Sequence, residues 1–367
     1  MDRKEYNVQA PPPPPMDLIF SFAPALALKS AVLLKIPDII ATAGPDPDSS
    51  LSLRQIAARL PTQTPHLDYL SRILRYLSTL GIFIESQTSS DPLDFHYGLT
   101  HTAKCYFLSD HNENKPCSMV PLLLMQTHEK LMAPWHHFHE CVLQGEGCEG
   151  AFTKAHGKDV WAYCMDDPDL NTVINNAMAS FTNIVMIPFL SVYEGFKSGE
   201  KLTVVDVGGG KGPAIAQIVK AYPHINGINF DLPHVIATAP PISDVQHVGG
   251  DMFHSVPSGD VIFMKQILHD WDDERCAKIL ENCHRALPEN GRLVVVEIVV
   301  SQDEQNRSQH VEMVASLTML AHTNGRERNE QQWRRLFESS GFSTLKMVGL
   351  LGNTHFSVLE ATKAKIH

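Results

Sequence analysis

Clustered positive charge is the first thing that this sequence lacks. Its 367 residues include 30 lysines and arginines against 41 aspartates and glutamates, which gives a net charge of −11. A nucleic-acid backbone and an anionic membrane surface both reward clustered basic residues, so neither is expected as the main partner. No apolar stretch in the sequence approaches the about 20 residues of a membrane span. The sequence therefore predicts no nucleic-acid partner and no membrane partner.

Paired cysteines are missing as well. The seven cysteines are scattered, none forms a C-x-x-C pair, and the chain does not open with a signal-like apolar segment. An odd number of scattered cysteines is typical of reduced thiols, so we expect a cytoplasmic protein.

A zinc motif is also absent. His136, His137, His139 and Glu140 cluster in HHFHE, but the preceding HEKLM ends in Met132, where an H-E-x-x-H motif needs a second histidine. We therefore expect no bound metal.

The first third of the chain begins with a proline-rich segment, and segments with a helical pattern follow it. Residues 1–15 end in APPPPP, which suits neither a helix interior nor a strand within a sheet, so a disordered lead-in is expected. The following stretch, DLIFSFAPALALKSAVLLKIPDII, is too apolar around its circumference for a surface helix. We expect it to pack against a second copy of the chain or another domain.

Residues 16–117 have the order of a winged-helix module. Two helical segments, SLSLRQIAARL and PHLDYLSRILRYLSTLGI, precede two short strands, IFIES and FHYGLT, that predict a hairpin. Such modules often bind DNA, but the second helix carries only Arg72 and Arg75. A role in dimerisation is therefore favoured over DNA binding.

The period of the apolar residues changes near residue 201. Residues 118–200 are helical in pattern and are expected to form a linker and pocket helices. In residues 201–367, β-branched runs alternate with single helices, which predicts an α/β domain with a doubly wound, mostly parallel sheet. In such sheets ligands collect at the carboxyl ends of the strands.

A glycine loop follows the first of these strands in VVDVGGGKG. A dinucleotide fingerprint counted from Gly208 would need glycine where the chain has Pro213, and a phosphate-binding G-K-[ST] loop would need Ser or Thr where it has Gly212. The shorter G-x-G-x-G form that remains suits a mononucleoside-like ligand. The next two strands end at Asp231, which suits ribose hydroxyls, and at Asp251 with Met252, which suit an adenine.

A histidine stands where the fourth strand ends, in DVIFMKQILHDWDDE. On the residues around it, His269 fits a buried core histidine or a general base, and both interpretations stay open.

Taken together, these motifs resemble the plant O-methyltransferases of the caffeic acid type, which use S-adenosylmethionine. The matching segments are VVDVGGGKG, FDLPHVI, GGDMF, KQILHDWDDERCAKIL, GRLVVVE and NGRERNEQQWRRLFESSGF. The resemblance implies a Rossmann-like methyltransferase with an N-terminal winged-helix dimerisation domain that works as a homodimer. It also implies S-adenosylmethionine as cofactor, S-adenosylhomocysteine as product, and a small phenolic, phenylpropanoid or flavonoid-like metabolite as acceptor.

The resemblance further implies roles for individual residues. His269 corresponds to the catalytic base, and Glu297 and Glu327 to the acids that orient it. The expected cofactor contacts are Gly208, Asp231, Asp251, Met252, Lys265 and Thr182. Thr182 departs from the family pattern, which has a serine there, and so does its neighbour Phe181, where the family often has an acid.

The acceptor pocket is expected in the helices before the sheet and in one later loop. Flat apolar walls with a few polar groups suit an aromatic acceptor, although each of these side chains also suits plain core packing. The candidates are Met132, Trp135, Phe152, Trp161, Met165, Met178, His322 and Asn324. An N-methyltransferase on an aromatic or alkaloid amine remains the alternative function.

Overall fold

The computed structural model describes residues 14–44, 49–87, 95–109, 118–302, 309–350 and 355–363. The expected lead-in, residues 1–15, lies outside the described residues except for its last two, and the first helix begins at Pro15. The chain divides into two compact units, residues 1–128 and residues 129–367.

The first unit contains short helices and a small antiparallel sheet. Its strands run in the order β1-β3-β2, so the predicted hairpin is present as β2 and β3. The helices are Pro15–Ile19 (α1), Ala23–Leu33 (α2), Ile36–Ala41 (α3), Leu53–Ala57 (α4), Leu67–Thr79 (α5), His101–Tyr106 (α6) and Val120–Gln126 (α7). The strands are Ser50–Ser52 (β1), Phe83–Gln87 (β2) and Phe95–Leu99 (β3).

The segment SLSLRQIAARL corrects one expectation. A helix opened by serines suited to an N-cap is predicted here, and α4 is present, but Ser50–Ser52 also pair with β3 as strand β1. Helix α4 begins only after Ser52, whose hydroxyl accepts the Gln55 amide while the Gln55 side chain accepts the Ser52 amide. This capping box satisfies two amides at the start of α4, so the helix begins there and not earlier.

Helix α5 supplies the core of the first unit. Leu70, Leu74 and Leu77 recur at helical spacing and are all buried. The chain then turns at Gly81, which has a φ of +72° that glycine adopts without steric cost.

The second unit holds one large sheet between helices. Its main path is β10-β11-β8-β7-β4-β5-β6, with β9 paired to β8. The strands are Leu202–Val207 (β4), Ile225–Asp231 (β5), Val245–Gly249 (β6), Val261–Lys265 (β7), Arg292–Val300 (β8), Arg328–Asn329 (β9), Phe342–Gly349 (β10) and Phe356–Lys363 (β11). The helices are Glu129–Met132 (α8), Phe138–Gln144 (α9), Ala151–His156 (α10), Val160–Asp166 (α11), Pro168–Val192 (α12), Pro213–Ala221 (α13), Pro233–Ile236 (α14), Asp273–Ala286 (α15), Gln309–His322 (α16) and Glu330–Ser339 (α17).

The doubly wound, mostly parallel sheet is confirmed. Strands β4 to β8 pair in parallel, and only β10 and β11 run antiparallel to their neighbours. Each face of the sheet carries its own core, which explains why β7 and β8 are continuous apolar runs. Parallel strands bring their carboxyl ends to one edge, so the segments after β4, β5, β6 and β7 meet there.

Helix α12 has the length and composition of a membrane-spanning helix. Its 25 residues are long and apolar enough to cross a membrane by length and composition, so the statement that no stretch approaches that length was wrong. Its residues Val185, Met186 and Phe189 are buried in one of the two sheet cores, which is the position of a core helix.

The start of the first unit leaves an exposed apolar surface. Phe20 and Phe22 keep half or more of their surface exposed, and other large apolar side chains of the same segment are exposed with them: Met16, Leu18, Ile19, Leu26 and Leu33. A contiguous apolar surface of this kind marks an interaction site. This agrees with the expectation that the segment packs against a second copy.

Replacing both Phe20 and Phe22 by glutamate is expected to weaken self-association, because charge would have to be buried at the contact. Light scattering after size-exclusion chromatography should show the parent as a dimer and the double variant shifted towards the monomer. Val348→Glu, at an equally exposed position on β10, is the control. An unchanged mass for the double variant would contradict this assignment of the surface.

Candidate active site

His269 lies in a single 3-10 turn, Leu268–Asp270, that follows the carboxyl end of β7. Its ring is buried, with 6% of the residue exposed. The position therefore places an imidazole at the edge of the sheet where a ligand is expected.

Two carboxylates from later parts of the chain converge on this ring. Glu327 Oε1 lies 2.8 Å from His269 Nδ1, and Glu297 Oε2 lies 3.5 Å from the same nitrogen. A carboxylate only accepts hydrogen bonds, so the 2.8 Å contact assigns the hydrogen to Nδ1. The other nitrogen, Nε2, is 3.9 Å from its nearest carboxylate oxygen, Oδ1 of Asp270, which is beyond hydrogen-bonding distance.

Glu297 also holds the backbone of the turn. Its Oε1 accepts the amide hydrogens of Ile267 at 3.0 Å and Leu268 at 2.9 Å. The second oxygen, Oε2, has no hydrogen-bond partner among the described residues and faces the imidazole. One carboxylate thus positions both the turn and the charge beside the ring.

The surrounding acids decide the protonation of His269. Burial alone would lower its pKa, but the negative charges of Glu297, Glu327 and Asp270 outweigh burial and raise the pKa to about 10. Burial raises the pKa of the Glu297 carboxyl. The site thus binds a proton tightly when no other cation is near.

The same three groups meet the distance requirement of a metal site. The nearest ligand atoms of His269, Glu297 and Glu327 lie within 4.8 Å of one another. The expectation of no metal is therefore tested by adding a chelator to the activity assay.

Lys265 and Asp270 complete the buried charges near the turn. Burial lowers the pKa of Lys265 to about 8, although Asp206, Glu297 and Asp270 act in the opposite direction. Burial raises the pKa of Asp270 to about 6. The Lys265 ammonium donates to the Gln266 side chain at 2.8 Å.

The glycine loop between β4 and α13 requires glycine at more than one position. Gly208, Gly210 and Gly212 have φ values of +71°, +59° and +84°, which side-chain-bearing residues rarely adopt. A Cβ at Gly209 would lie 2.2 Å from Asn229 Oδ1 and would clash with it. A Cβ at Gly210 would meet nothing within 4 Å, so the loop backbone is open to a ligand there.

Two buried polar side chains lie under this loop. Asn229 donates to the Gly210 carbonyl at 2.9 Å, and burial raises the pKa of Asp206 to about 7. Asp206 Oδ2 and Asn229 Oδ1 have no hydrogen-bond partner among the described residues. Buried acceptors of this kind fit a loop that binds a polar ligand.

Asp231 ties the loop to the next strand. Its Oδ2 accepts the Gly210 amide at 2.8 Å, its Oδ1 accepts the Leu232 amide at 2.7 Å, and burial raises its pKa. The carboxylate expected for a ribose therefore lies beside the open part of the glycine loop.

The segment after β6 forms a tight turn around Asp251. Its two oxygens contact the Phe253 amide at 2.8 Å and the His254 ring at 2.9 Å. The Met252 carbonyl is held at 2.7 Å by Asn282 of α15. Asp251 and Met252 thus have fixed positions at the same edge of the sheet as Asp231.

Thr182 lies apart from these strand ends, on α12. It is buried, and its hydroxyl donates to the Met178 carbonyl in the same helix at 2.8 Å. The structure thus gives both Thr182 and the candidate Met178 a place on α12.

The acceptor candidates fall into two groups. Trp161 stacks on Trp271, just after the His269 turn, with ring centroids 6.1 Å apart. Asn324 lies beside Gly150, where an added Cβ would be 3.2 Å from its side chain, and directly precedes a glycine packed on the turn.

The remaining candidates pack around the first helices of the unit. Phe152 is buried and contacts the rings of His156 and Tyr163, and His322 Nε2 donates to the Leu131 carbonyl at 3.0 Å. Burial lowers the pKa of His322. Met132 and Met165 are exposed, and Trp135 contacts Phe138.

Sequence reasoning missed several residues that shape this site. Asp206 and Asn229 were not singled out, although a polar residue inside an apolar strand before a glycine loop is a usable signal. Gly325 and Arg328 were missed as well, because their contacts are with backbone atoms of the His269 turn. No pattern in the sequence reveals such contacts.

The fold and the site together define a class. An open glycine loop, the Asp231 carboxylate and the Asp251 turn lie at successive strand ends, and a buried histidine paired with carboxylates follows the next strand. This is the arrangement of a Rossmann-like, S-adenosylmethionine-dependent methyltransferase.

The chain belongs to the plant O-methyltransferase family. The O-methyltransferase domain model matches residues 135–343, and the O-methyltransferase dimerisation domain model matches residues 16–109. The chain is therefore an S-adenosylmethionine-dependent O-methyltransferase with the dimerisation domain of a homodimer.

Individual relatives agree with this assignment. Desmethylxanthohumol 6'-O-methyltransferase of Humulus lupulus is 40% identical, over 90% of this chain and 92% of that protein. Caffeic acid 3-O-methyltransferase of Prunus dulcis is 42% identical, over 90% and 89%. Human N-acetylserotonin methyltransferase, solved in complex with S-adenosylmethionine, superposes with a TM-score of 0.81 over 95% of this chain and 96% of that chain. At 19% identity, this last likeness shows the fold alone.

Gly325→Ala is expected to destabilise the site. A Cβ at Gly325 would lie 2.0 Å from the His269 carbonyl oxygen and 2.8 Å from the Asp270 carbonyl carbon, so backbone must move. Overpacking of this kind costs about 1–3 kcal/mol, which urea unfolding would measure as a lower free energy of unfolding. Gly147→Ala, where a Cβ meets nothing within 4 Å, should unfold like the parent. Equal stability of the two variants would show that the loop does not press on the turn.

Proposed function

We propose that this enzyme transfers a methyl group to the hydroxyl of a small phenolic plant metabolite, of phenylpropanoid or flavonoid type, in the cytoplasm. The observation that carries the proposal is the 2.8 Å contact between His269 Nδ1 and Glu327. It leaves Nε2 as the basic nitrogen for the acceptor. The relatives named for desmethylxanthohumol and caffeic acid support an aromatic acceptor.

The chemistry requires a base. S-adenosylmethionine, when bound, would supply a methyl group on a sulfonium sulfur, and the neutral thioether left after the carbon–sulfur bond breaks, S-adenosylhomocysteine, is a good leaving group. A phenol has a pKa of about 10, so little of it is ionised at neutral pH. His269 Nε2 accepts the phenol proton as the oxygen attacks, and general-base help of this kind is worth about 10²–10⁴-fold.

Glu327 and Glu297 serve this transfer in two ways. The Glu327 carboxylate keeps the hydrogen on Nδ1, so the lone pair is on Nε2, the nitrogen that neither Glu327 nor Glu297 contacts. Both carboxylates then stabilise the imidazolium that forms, as the raised pKa of His269 indicates.

The raised pKa also sets a condition for activity. His269 must be neutral before it can accept a proton, and a pKa of about 10 keeps it protonated at neutral pH without a ligand. A like charge in the cleft lowers the pKa of a histidine, so a cationic cofactor favours the neutral ring. Binding of the cofactor therefore prepares the base.

The cofactor contacts follow the strand ends. Asp231 is proposed to accept the ribose hydroxyls, and Asp251 with Met252 to contact the adenine. Gly208 is proposed to contact the cofactor, and the backbone at Gly210, where an added Cβ would meet nothing within 4 Å, is proposed to admit its thioether chain. Lys265 and Thr182 are proposed to hold the polar end of the cofactor.

The acceptor is proposed to lie beside the His269 turn. Trp161, through its stack on Trp271, forms one wall near the turn. Asn324 directly precedes the glycine that packs on the turn and is proposed as a polar group of the pocket. The other candidates extend the pocket: Met132, Trp135, Phe152, Met165, Met178 and His322.

The activity is tested with labelled S-adenosylmethionine and a panel of phenols and aromatic amines. We expect label in phenols, with a kcat for His269→Ala lowered about 10²–10⁴-fold and S-adenosylhomocysteine affinity nearly kept. His284→Ala, at the far end of α15, should keep the parent kcat, and a chelator should change neither result. Label in amines alone, or full turnover by His269→Ala, would overturn the proposal, and loss of activity on chelation would indicate a metal at the three-residue cluster.

The proposed role of His269 predicts how kcat changes with pH. Turnover needs neutral His269, so kcat should rise as pH passes upward through the pKa of His269 in the cofactor complex. Glu327→Gln removes a negative charge that raises this pKa, so the acid limb of the profile should move to lower pH while the maximal kcat falls.

The matched control for this profile is Glu338→Gln, an exposed position on α17. Its profile should coincide with that of the parent. An acid limb that moves to higher pH in Glu327→Gln, or stays where it is, would contradict the proposed pairing.

A further inference from the structure

Arg328 is a buried cation that the proposed mechanism does not use. It directly follows Glu327, and only 1% of it is exposed. Its guanidinium donates to the Leu268 carbonyl at 3.0 Å and the Trp271 carbonyl at 2.8 Å. Two further bonds, from Nε at 2.9 Å and Nη2 at 2.8 Å, go to Asp273 Oδ1. All these acceptors lie between Leu268, in the His269 turn, and Asp273, at the start of α15.

Charged side chains thus bind both the amide and the carbonyl groups of the backbone at this turn. Glu297 accepts the amide hydrogens of Ile267 and Leu268 on one side. Arg328 binds the carbonyls of Leu268 and Trp271 on the other. The backbone that carries the imidazole therefore has a charged partner for its donors and another for its acceptors.

Arg328 also fixes the partner of the imidazole. It begins strand β9, which pairs with β8, and the Arg326 amide donates to the His269 carbonyl at 2.9 Å. Because successive side chains of an extended segment point in opposite directions, Glu327 can face the ring while Arg328 faces the turn. Two consecutive residues thus set the distance between Glu327 and His269.

We propose that Arg328 is a positioning residue for methyl transfer, which holds the His269 turn and Glu327 in register. The inference rests on the proposed role of His269 as the base. It assigns Arg328 no contact with cofactor or acceptor.

The guanidinium has a geometry that lysine cannot copy. It is planar and presents several donors in a fixed fork, which here reaches two carbonyls and one carboxylate, whereas an ammonium is a single point charge. A buried cation also loses its hydration, and this energetic cost is offset only where nearly all of its donors form hydrogen bonds. Arg328→Lys therefore retains the charge and removes the fork.

The expected effect is on turnover and not on cofactor binding. Arg328→Lys should lower kcat about 10- to 100-fold, because a misplacement of about 1 Å at a reacting group costs about 100-fold. The dissociation constant of S-adenosylhomocysteine, measured by calorimetry, should stay within about twofold of the parent value. An unchanged kcat would overturn the inference.

The chain offers a matched control in Arg334. This exposed arginine on α17 also binds one carboxylate, Glu330, and one backbone carbonyl, Leu345, but touches nothing on the turn. Arg334→Lys should therefore keep the parent kcat. If it lowers kcat as much as Arg328→Lys does, the loss is a general effect of replacing arginine and the inference fails.

A double-mutant cycle separates positioning from plain structural support. If Arg328 acts through His269, Arg328→Lys should lower kcat no further once His269→Ala is present. A full additional loss in that background would show a merely structural role. An unaffected kcat in His269→Ala alone would instead overturn the proposed function itself.

A second variant covers the case in which Arg328→Lys does not fold. Asp273 is 60% exposed at its side chain, so Asp273→Asn should fold while it weakens the anchor of the guanidinium. We expect a smaller fall in kcat of the same kind, absent in the His269→Ala background. A parent-like kcat for Asp273→Asn would then count against the inference.

Discussion

The contact on which the site depends is the hydrogen bond between a buried imidazole and a buried carboxylate, His269 and Glu327. Neither group is stable alone in that place, because an unpaired charge or polar group away from water is costly. Together with Glu297, the two groups form a cluster in which the hydrogen on Nδ1 and the orientation of the imidazole are fixed. The rest of the second unit keeps this cluster at the edge of the sheet.

The topology of the sheet provides this support without requiring particular residues. Parallel strands β4, β5 and β7 end at one edge, so the glycine loop, Asp231 and the His269 turn meet there although they are far apart in sequence. The loop in turn depends on Asn229 and Asp206 beneath it, which leave no room for a side chain at Gly209. The ligand loop is thus held by buried polar groups as well as by its own backbone.

Much of the fold was predictable because it depends on local pattern. The apolar runs of β4, β7 and β8 and the glycine loop identified a parallel α/β sheet directly. The hairpin of the first unit followed from alternation, whereas β1 was missed because its three residues carry no period of their own. The long helix α16 was not identified either, since its exposed apolar side chains do not form one clear stripe.

The site was predictable in a different way. Residue patterns alone left His269 open between core and base, and its partners came from the family resemblance. The contact to Glu327 spans 58 residues of sequence, and Glu327 directly precedes strand β9, which pairs with β8. Arg328 shows the same limit more strongly, because two of its partners are carbonyl groups, which every sequence contains, and the third, Asp273, lies 55 residues away in sequence. Such contacts are set by the fold, so they could be seen only in three dimensions.

The central claim is that the cofactor complex contains a neutral His269 with hydrogen on Nδ1 and a free lone pair on Nε2. Nitrogen-15 NMR of histidine-labelled enzyme with bound S-adenosylmethionine, assigned by comparison with a His269 variant, tests it most directly. The account predicts a protonated Nδ1 and an unprotonated Nε2 over the pH range in which the enzyme turns over. An Nε2 that stays protonated throughout that range would contradict it.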